Sequence, residues 1–346
     1  MIKKIINSVF FLCCFYSSVF ASNNILNVYN WSGYIPSDVL TKFTNETGIR
    51  VNYSTFDSNE TLYAKLKVDK DSGYDIVVPS TYYVERMRRE KMLQKIDKSK
   101  LPNFKYLNPA LLNRSYDPYN EYSIPYLWGT TAILINTKYF PINSVKVWHD
   151  LWKPEFKGKI AFTDSMRDGF AIAMKVLGYS INDTNPKHME EAYGVLKSLL
   201  PNIQSFQSSG AQQTFVNEDS VIGIMESGDA NVVMSEKSSL AYIYPKDGAI
   251  IWADNMAIPI NAKHLNNAYQ FINFILRPDI AKMISVGVGY SSPNLGAIKL
   301  MSKEDRKNPV LNPSEQDLKN GEFEGDVGEK ATQQLLKYWE LLKAGA

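Results

Sequence analysis

The sequence predicts an α/β fold in two lobes, and three observations carry that expectation. The chain has 346 residues, which at about 100 to 200 residues per domain means two domains or one large α/β unit. From Ile25 onward, short β-branched runs alternate with helix-period segments. Two apolar stretches, Pro125 to Asn136 and Ile250 to Pro259, read as extended strands able to run from one lobe to the other. Hydrophobic residues make up 45% and charged residues 21%, an ordinary soluble composition far from the disordered and polytopic membrane classes.

The first lobe opens with a strand from Ile25 to Asn30, a helix from about Ser37 to Thr47 closed by Gly48, and a strand from Arg50 to Thr55. Ser58 with Thr61 starts another helix, which Gly73 closes, and Asp75 to Pro79 is a buried strand running into Ser80-Thr81-Tyr82-Tyr83 and a further helix. That order is the pattern of a parallel α/β lobe. After the first crossing strand, a second set follows, with strands near Ile160, Ile203, Val221 and Tyr242 and helices near Phe170, Glu190 and Val232. The second crossing strand leads to helices near Ala268 and Lys282, and an amphipathic helix from about Gly328 to Leu342 ends the chain. The loops stay short, which argues against a flexible linker.

At the N-terminus, Lys3 and Lys4 precede the apolar run Val9 to Tyr16 and the small residues before Ala21. This is the layout of a secretory signal peptide, and the run is well short of the ~20 residues a spanning helix needs. Cleavage after Ala21 removes Cys13 and Cys14, so the mature chain holds no disulfide. It also removes Lys3 and Lys4, the whole excess of 38 basic over 36 acidic residues. A mature chain without net charge or a long Lys/Arg run lacks the footprint of a nucleic-acid or polybasic membrane binder. The expected product is a soluble protein exported across one membrane.

Chemistry for an enzyme is thin. The three histidines, His149, His188 and His264, form no H-E-x-x-H arrangement, and neither a G-x-S-x-G elbow nor a Walker A loop occurs. His188 and His264 sit in polar surroundings and read as exposed residues near helix starts. Nothing calls for a cofactor. Asp164 with Asp168 leaves a glycosidase reading open from spacing alone.

From Tyr29-Asn30-Trp31-Ser32-Gly33-Tyr34-Ile35-Pro36 the chain resembles the exported spermidine/putrescine-binding proteins of polyamine ABC transporters. The likeness continues through Glu46-Thr47-Gly48-Ile49, Ser58-Asn59-Glu60-Thr61, Tyr74 to Ser80, Gln94 to Lys100, Leu151 to Glu155, Ala257-Ile258-Pro259, Arg277-Pro278-Asp279 and Lys319 to Glu322. It implies a two-lobed periplasmic binding protein, with hinge strands and the ligand held between the lobes. The lobes would comprise 22–129 with 254–300, and 130–253 with 301–346, after a signal peptide over 1–21. The implied partners are a polyamine and an inner-membrane ABC permease. The site residues it implies are Trp31, Ser32, Tyr34, Ser80, Tyr82, Asp168, Trp252, Asp254 and Tyr290.

Those residue types suit the ligand. A polyamine is a methylene chain with an ammonium at each end, so it needs spaced carboxylates and flat apolar walls. Trp31, Tyr34, Tyr82, Trp252 and Tyr290 can form an aromatic box, since ring faces pack on methylenes and attract cations. Trp128, Trp148 and Trp152 are left to packing. The chain also departs from the spermidine-binding pattern. Ser165 and Gly33 stand where acids are expected, Glu226 replaces an aromatic, and Glu324 replaces a glutamine. Asp229 matches an acid of the putrescine-preferring members. Five acids together exceed the charge of a triamine, so some must stand back or pair with a protein cation, for which Arg167 is a candidate. Other readings are a binder of another small organic cation on the same fold, a metal binder, weakened by scarce His and Cys, a hydrolase using Asp164 and Asp168, and an interaction protein reusing the scaffold.

Overall fold

The computed structural model describes residues 24–69, 72–207 and 211–345, so the expected signal segment lies outside the described residues. Strand β1 (Ile25–Trp31) buries Leu26 and Val28 and pairs in parallel with β2 (Arg50–Phe56) on one side and β3 (Ile76–Val77) on the other. Helix α1 (Ser37–Thr47) buries Val39 and Phe43 and ends at Gly48, whose N–H reaches Thr44 O. Helix α2 (Asn59–Val68) is capped by Ser58, whose Oγ accepts from the Thr61 N–H at 3.2 Å. It stops at Asp69, short of the expected Gly73. The expected strand over 75–79 shrinks to the two residues of β3. Its first residue, Asp75, is held instead through its side chain, which accepts the N–H groups of Asn27, Lys263 and His264, and Pro79 offers no N–H to a ladder. Helix α3 (Thr81–Arg89) follows directly.

Strand β4 (Ser123–Asn136) is 14 residues long with every one buried, about 45 Å at ~3.3 Å per residue. Beyond it come β5 (Ile160–Thr163), α4 (Met166–Val176), α5 (Pro186–Leu199), β6 (Ile203–Gln207), α6 (Ala211–Val216), β7 (Ile222–Glu226), α7 (Ser227–Glu236) and β8 (Leu240–Ile243). Strand β9 (Ile250–Ala257) returns to the first lobe, where α8 (Leu265–Ile275), α9 (Pro278–Val288) and α10 (Leu295–Leu300) are built. Then α11 (Lys303–Lys307), β10 (Glu322–Phe323) and α12 (Gly328–Ala344) finish the chain.

The main path through the sheet is β2-β1-β3-β9-β4-β7-β5-β6, with β8 on β4 and β10 on β9. The length of β4 explains this continuity. Its first part pairs antiparallel with β9, from Ser123↔Ala257 to Thr131↔Ile250, and its last part pairs with β7 and β8. One strand therefore belongs to both lobes, and β9 crosses beside it. On the first-lobe side, Phe43 meets Phe271 and Phe274 at 5.0 and 5.2 Å in a core over β1. On the other, Trp148, Phe162, Phe170, Leu196 and Trp339 share a second core, with α12 laid against α4 and α5. A smaller cluster of Leu111, Trp128, Ile251 and Ala253 fills the seam.

Candidate functional site

Parallel strands present their carboxyl ends, and the loops leaving them, to ligands. Here the two sets of strand ends face each other along β4 and β9. Trp31 ends β1, Ser80 and Tyr82 follow β3, Asp168 follows β5, and Glu226 ends β7. Trp252 and Asp254 lie two apart on β9 and so share a face. Tyr290 comes just after α9, and Glu324 just after β10. The fold thus gathers residues from seven segments of the chain.

Asp254 is the centre of the first-lobe side. It is 3% exposed and accepts hydrogen bonds from the Tyr34 hydroxyl at 2.8 Å and the Ser80 hydroxyl at 2.6 Å. Ser80 occupies the N-cap of α3 but makes no cap hydrogen bond with its side chain. Its hydroxyl is given to Asp254 instead, a local rule broken in favour of the site. Asn59 fixes that choice: its Oδ1 accepts from the Ser80 N–H at 3.0 Å, and its Nδ2 donates to Ser80 Oγ at 3.0 Å and the Tyr82 hydroxyl at 3.1 Å. Burial pushes the Asp254 carboxyl up to about 6, eased by the Ser80 and Tyr34 hydroxyls.

The aromatic walls are continuous. Trp31, pinned by its indole N–H to Val78 O at 3.0 Å, lies 6.4 Å from Tyr34, Tyr34 lies 5.3 Å from Tyr290, and Tyr290 lies 5.4 Å from Trp252. Two glycines make this possible. A Cβ on Gly228 would fall 2.3 Å from the Tyr290 ring, and one on Gly129 would fall 2.6 Å from the Trp252 ring. Tyr82 stands apart from this chain of rings, packing on Tyr83 at 5.0 Å, and Ser32 lies exposed in the turn after β1.

On the second-lobe side the acids sit at helix beginnings. Asp168 is in the first turn of α4, and Glu226 and Asp229 are the N-cap and first turn of α7, where the backbone N–H groups favour negative charge. The Tyr290 hydroxyl donates to Glu226 Oε2 at 3.0 Å and approaches Asp229 Oδ1 at 3.5 Å, and Gln212 Nε2 donates to Asp229 at 2.9 Å. Glu324 is held by its backbone, with its N–H on Ile251 O and its carbonyl accepting from Thr81 Oγ1 at 2.7 Å. Its Oε1 is buried without a hydrogen-bond partner, as is the Trp252 indole nitrogen.

Burial raises the Asp168 carboxyl to about 6, against the pull of the Ser165 hydroxyl and the Arg167 charge. It raises Glu324 to about 8, with Asp168 and Asp254 adding to the rise and Arg167 opposing it. Glu226 is open to solvent on the cleft wall, yet the surrounding protein, Asp229 and Asp168 hold it well above the usual carboxylate range. None of Asp168, Glu226, Asp229, Asp254 and Glu324 forms an ion pair among the described residues.

Several expectations are corrected. Arg167 makes no ion pair among the described residues. Its guanidinium is spent on Asn182 Oδ1 at 3.1 Å and the carbonyls of Gly325 and Ile181, because it turns back towards the loop after α4. His188 and His264 are half-buried, not exposed, each bonded through Nδ1 to an aspartate, Asp183 at 2.8 Å and Asp75 at 2.9 Å. Asp164 pairs with Lys343 at 2.7 Å, so it is not available beside Asp168 for a paired-carboxylate reaction. Trp128 and Trp148 are buried in packing, while Trp152 donates to Ser198 Oγ at 2.9 Å. Asn59, Gly228 and Gly129 were not singled out from sequence. Asn59 appears there only within the Ser58-Asn59-Glu60-Thr61 segment, with no role of its own.

The family described as bacterial extracellular solute-binding protein matches residues 38–311. The spermidine/putrescine-binding periplasmic protein of Escherichia coli (strain K12) is 49% identical over 323 residues, 93% of this chain and 92% of its own. The putrescine-binding periplasmic protein PotF of the same organism is 37% identical over 315 residues, covering 85% of this chain and 84% of its own. A solved structure of the spermidine/putrescine ABC transporter substrate-binding protein PotD from Streptococcus pneumoniae has a TM-score of 0.85 at 36% identity, covering 93% of this chain and 99% of that one. Among the described residues no helix is long and apolar enough to cross a membrane. With the match running through both lobes, both crossing strands and the cleft between them, this chain belongs to the family of bacterial extracellular solute-binding proteins.

Proposed function

We propose that this chain is the periplasmic component of an ABC importer that captures polyamines, spermidine or putrescine, in the cleft and delivers them to an inner-membrane permease. One observation carries the reading: five acids stand around a partly aromatic wall where the two sets of strand ends meet, and among the described residues none of them forms an ion pair. Such an arrangement is costly when empty of charge compensation, because a buried carboxylate without a partner is strongly disfavoured. It becomes favourable once several ammonium groups enter together. Trp31, Tyr34, Trp252 and Tyr290 then cover the methylenes between those ammoniums, and Asp168 and Asp254 contact them directly. Tyr82, Ser80 and Ser32 line the first-lobe side, with Glu226, Asp229 and Glu324 opposite.

The relatives named for spermidine and putrescine support this ligand class. On this reading the lobes are 22–129 with 254–300 and 130–253 with 301–346, closing about β4 and β9. The protein reaches the periplasm by the signal peptide over 1–21 and catalyses no reaction. Calorimetric titration with putrescine, cadaverine, spermidine and spermine tests it. Saturable heat with at least one of them is expected. Absence of binding with all four, together with tight binding of an unrelated organic cation, selects the other cation-binding reading.

A further inference from the structure

Resting on that reading, we propose that the cleft takes up polyamines in exchange for protons, and that the number of protons surrendered rises with the charge of the ligand. The geometry starts with Glu324. Its side chain is 7% exposed, and no donor reaches its Oε1, so an ionised carboxylate there would have a bare oxygen. A proton on that carboxyl removes the difficulty in the free protein, and an incoming ammonium removes it in the bound one.

Among the described residues no ion pair supplies that compensation. Asp168 on α4 and Asp254 on β9 both act on Glu324 as like charges, and Arg167 is the cation that opposes them. Across the cleft, Glu226 and Asp229 of α7 converge on one hydroxyl, that of Tyr290, which can donate only a single hydrogen. Tyr34 of the turn after β1, Tyr82 of α3, Tyr116, Tyr126 of β4 and Tyr242 of β8 are further titratable groups that feel these acids, with Glu60 acting on Tyr82. All five tyrosines are held above their ordinary range by burial, so they stay neutral and bring no charge. Glu226 is likewise held well above the usual carboxylate range, by burial and by Asp229 and Asp168, so it too can carry a proton in the free protein. Glu324 is the acid whose buried oxygen lacks a donor, and Asp168 and Asp254, both near 6, take up protons next as the pH falls.

A diamine brings two positive charges and a triamine three, while five acids and Arg167 face them. Charge balance is reached with a diamine by keeping more protons on the acids, and with a triamine by giving more up. The same cleft thus accepts ligands of different charge by adjusting its own. By linkage, each extra proton released makes affinity about tenfold steeper per pH unit, so the preference for spermidine over putrescine widens as the pH rises.

Calorimetry in PIPES and in Bis-Tris at pH 6.8 tests this, since both ligands are then fully protonated and the two buffers differ in protonation heat. The measured heat should depend on the buffer, with about one proton or fewer released for putrescine and more for spermidine. The affinity ratio should grow between pH 6 and 7.5. Glu324→Gln, with its fold checked by thermal melting, should lower the spermidine proton count and leave binding measurable. Heats independent of buffer for both ligands, or equal proton counts, overturn the exchange while leaving polyamine capture intact. Absence of any polyamine binding overturns both.

Discussion

Replacing Asp254 by Asn keeps the shape of the side chain and removes its charge, and the structure gives the change opposite effects on stability and binding. In the free protein, burial holds this carboxyl at about 6 against an ordinary 3.8. Ionising it in place costs the folded state roughly 3 kcal/mol. The sign follows from the direction of the shift. A raised acid contributes stability that is present below its unfolded value and lost as the pH climbs through its folded one. At pH 3, below the unfolded value, wild type and Asp254→Asn should therefore be nearly equal. At pH 8 the variant should be the more stable by about 1 to 3 kcal/mol, reduced because Asn can no longer accept from both the Ser80 and Tyr34 hydroxyls as a carboxylate does. In the complex the same change removes a buried contact to an ammonium, a loss of about 2 to 5 kcal/mol. Thermal melts at the two pH values, with and without spermidine, read both effects. A variant that binds spermidine within threefold of wild type, or that is less stable than wild type at pH 8, refutes the reasoning.

Three further outcomes are expected. The melting temperature of the ligand-free protein should fall between pH 5 and 8.5 as Asp168 and Asp254, near 6, and then Glu324, near 8, ionise. Polyamine at a hundredfold over its dissociation constant should restore about 2.7 kcal/mol, and a flat profile with no shift would contradict both. Gly228→Ala sets a methyl 2.3 Å from the Tyr290 ring, an overpacking of about 1 to 3 kcal/mol; titration should show at least about a tenfold loss of affinity, and unchanged affinity would mean that Tyr290 is not a wall of the site. Glu226→Gln and Glu324→Gln should each alter the ratio of spermidine to putrescine affinity more than they alter putrescine affinity, and equal losses for both ligands would assign them to the general field of the cleft.

Much of the fold was legible because local signals and tertiary demands agree. Gly48 stops α1, Ser58 starts α2, and the unbroken apolar run of β4 needs a partner on each side along its length. Where the sequence reading failed, a side chain had taken over the work of the ladder. Asp75 anchors the loop before α8 by accepting its N–H groups, so the strand expected around it survives in two residues. The short β10 was invisible for a related reason. Two residues carry no period, and their pairing with Ile250 and Ile251 depends on a strand some seventy positions earlier.

The acids and rings of the site could be named from residue type and resemblance, but the devices that hold them could not. Asn59 reaches Ser80 across 21 positions, and Ser80 reaches Asp254 across 174; neither contact leaves a local pattern. Arg167 shows the opposite error, since the excess of acids suggested it as a pairing cation, while its guanidinium is bonded to Asn182 and Gly325. The missing cation is informative in itself. Asp168, Glu226 and Asp229 sit at helix N-termini, and Asp254 accepts two hydroxyls, so four of the five acids are partly supported by dipoles that carry no net charge. Dipoles lower the cost of holding negative charge without cancelling it, which leaves the cleft's field open to a guest. A protein cation in the same place would stabilise the free protein more and occupy the position that a ligand ammonium needs. The low-dielectric surroundings that make these acids expensive alone strengthen their hold on a polycation, and a ligand with one charge could relieve only one of them.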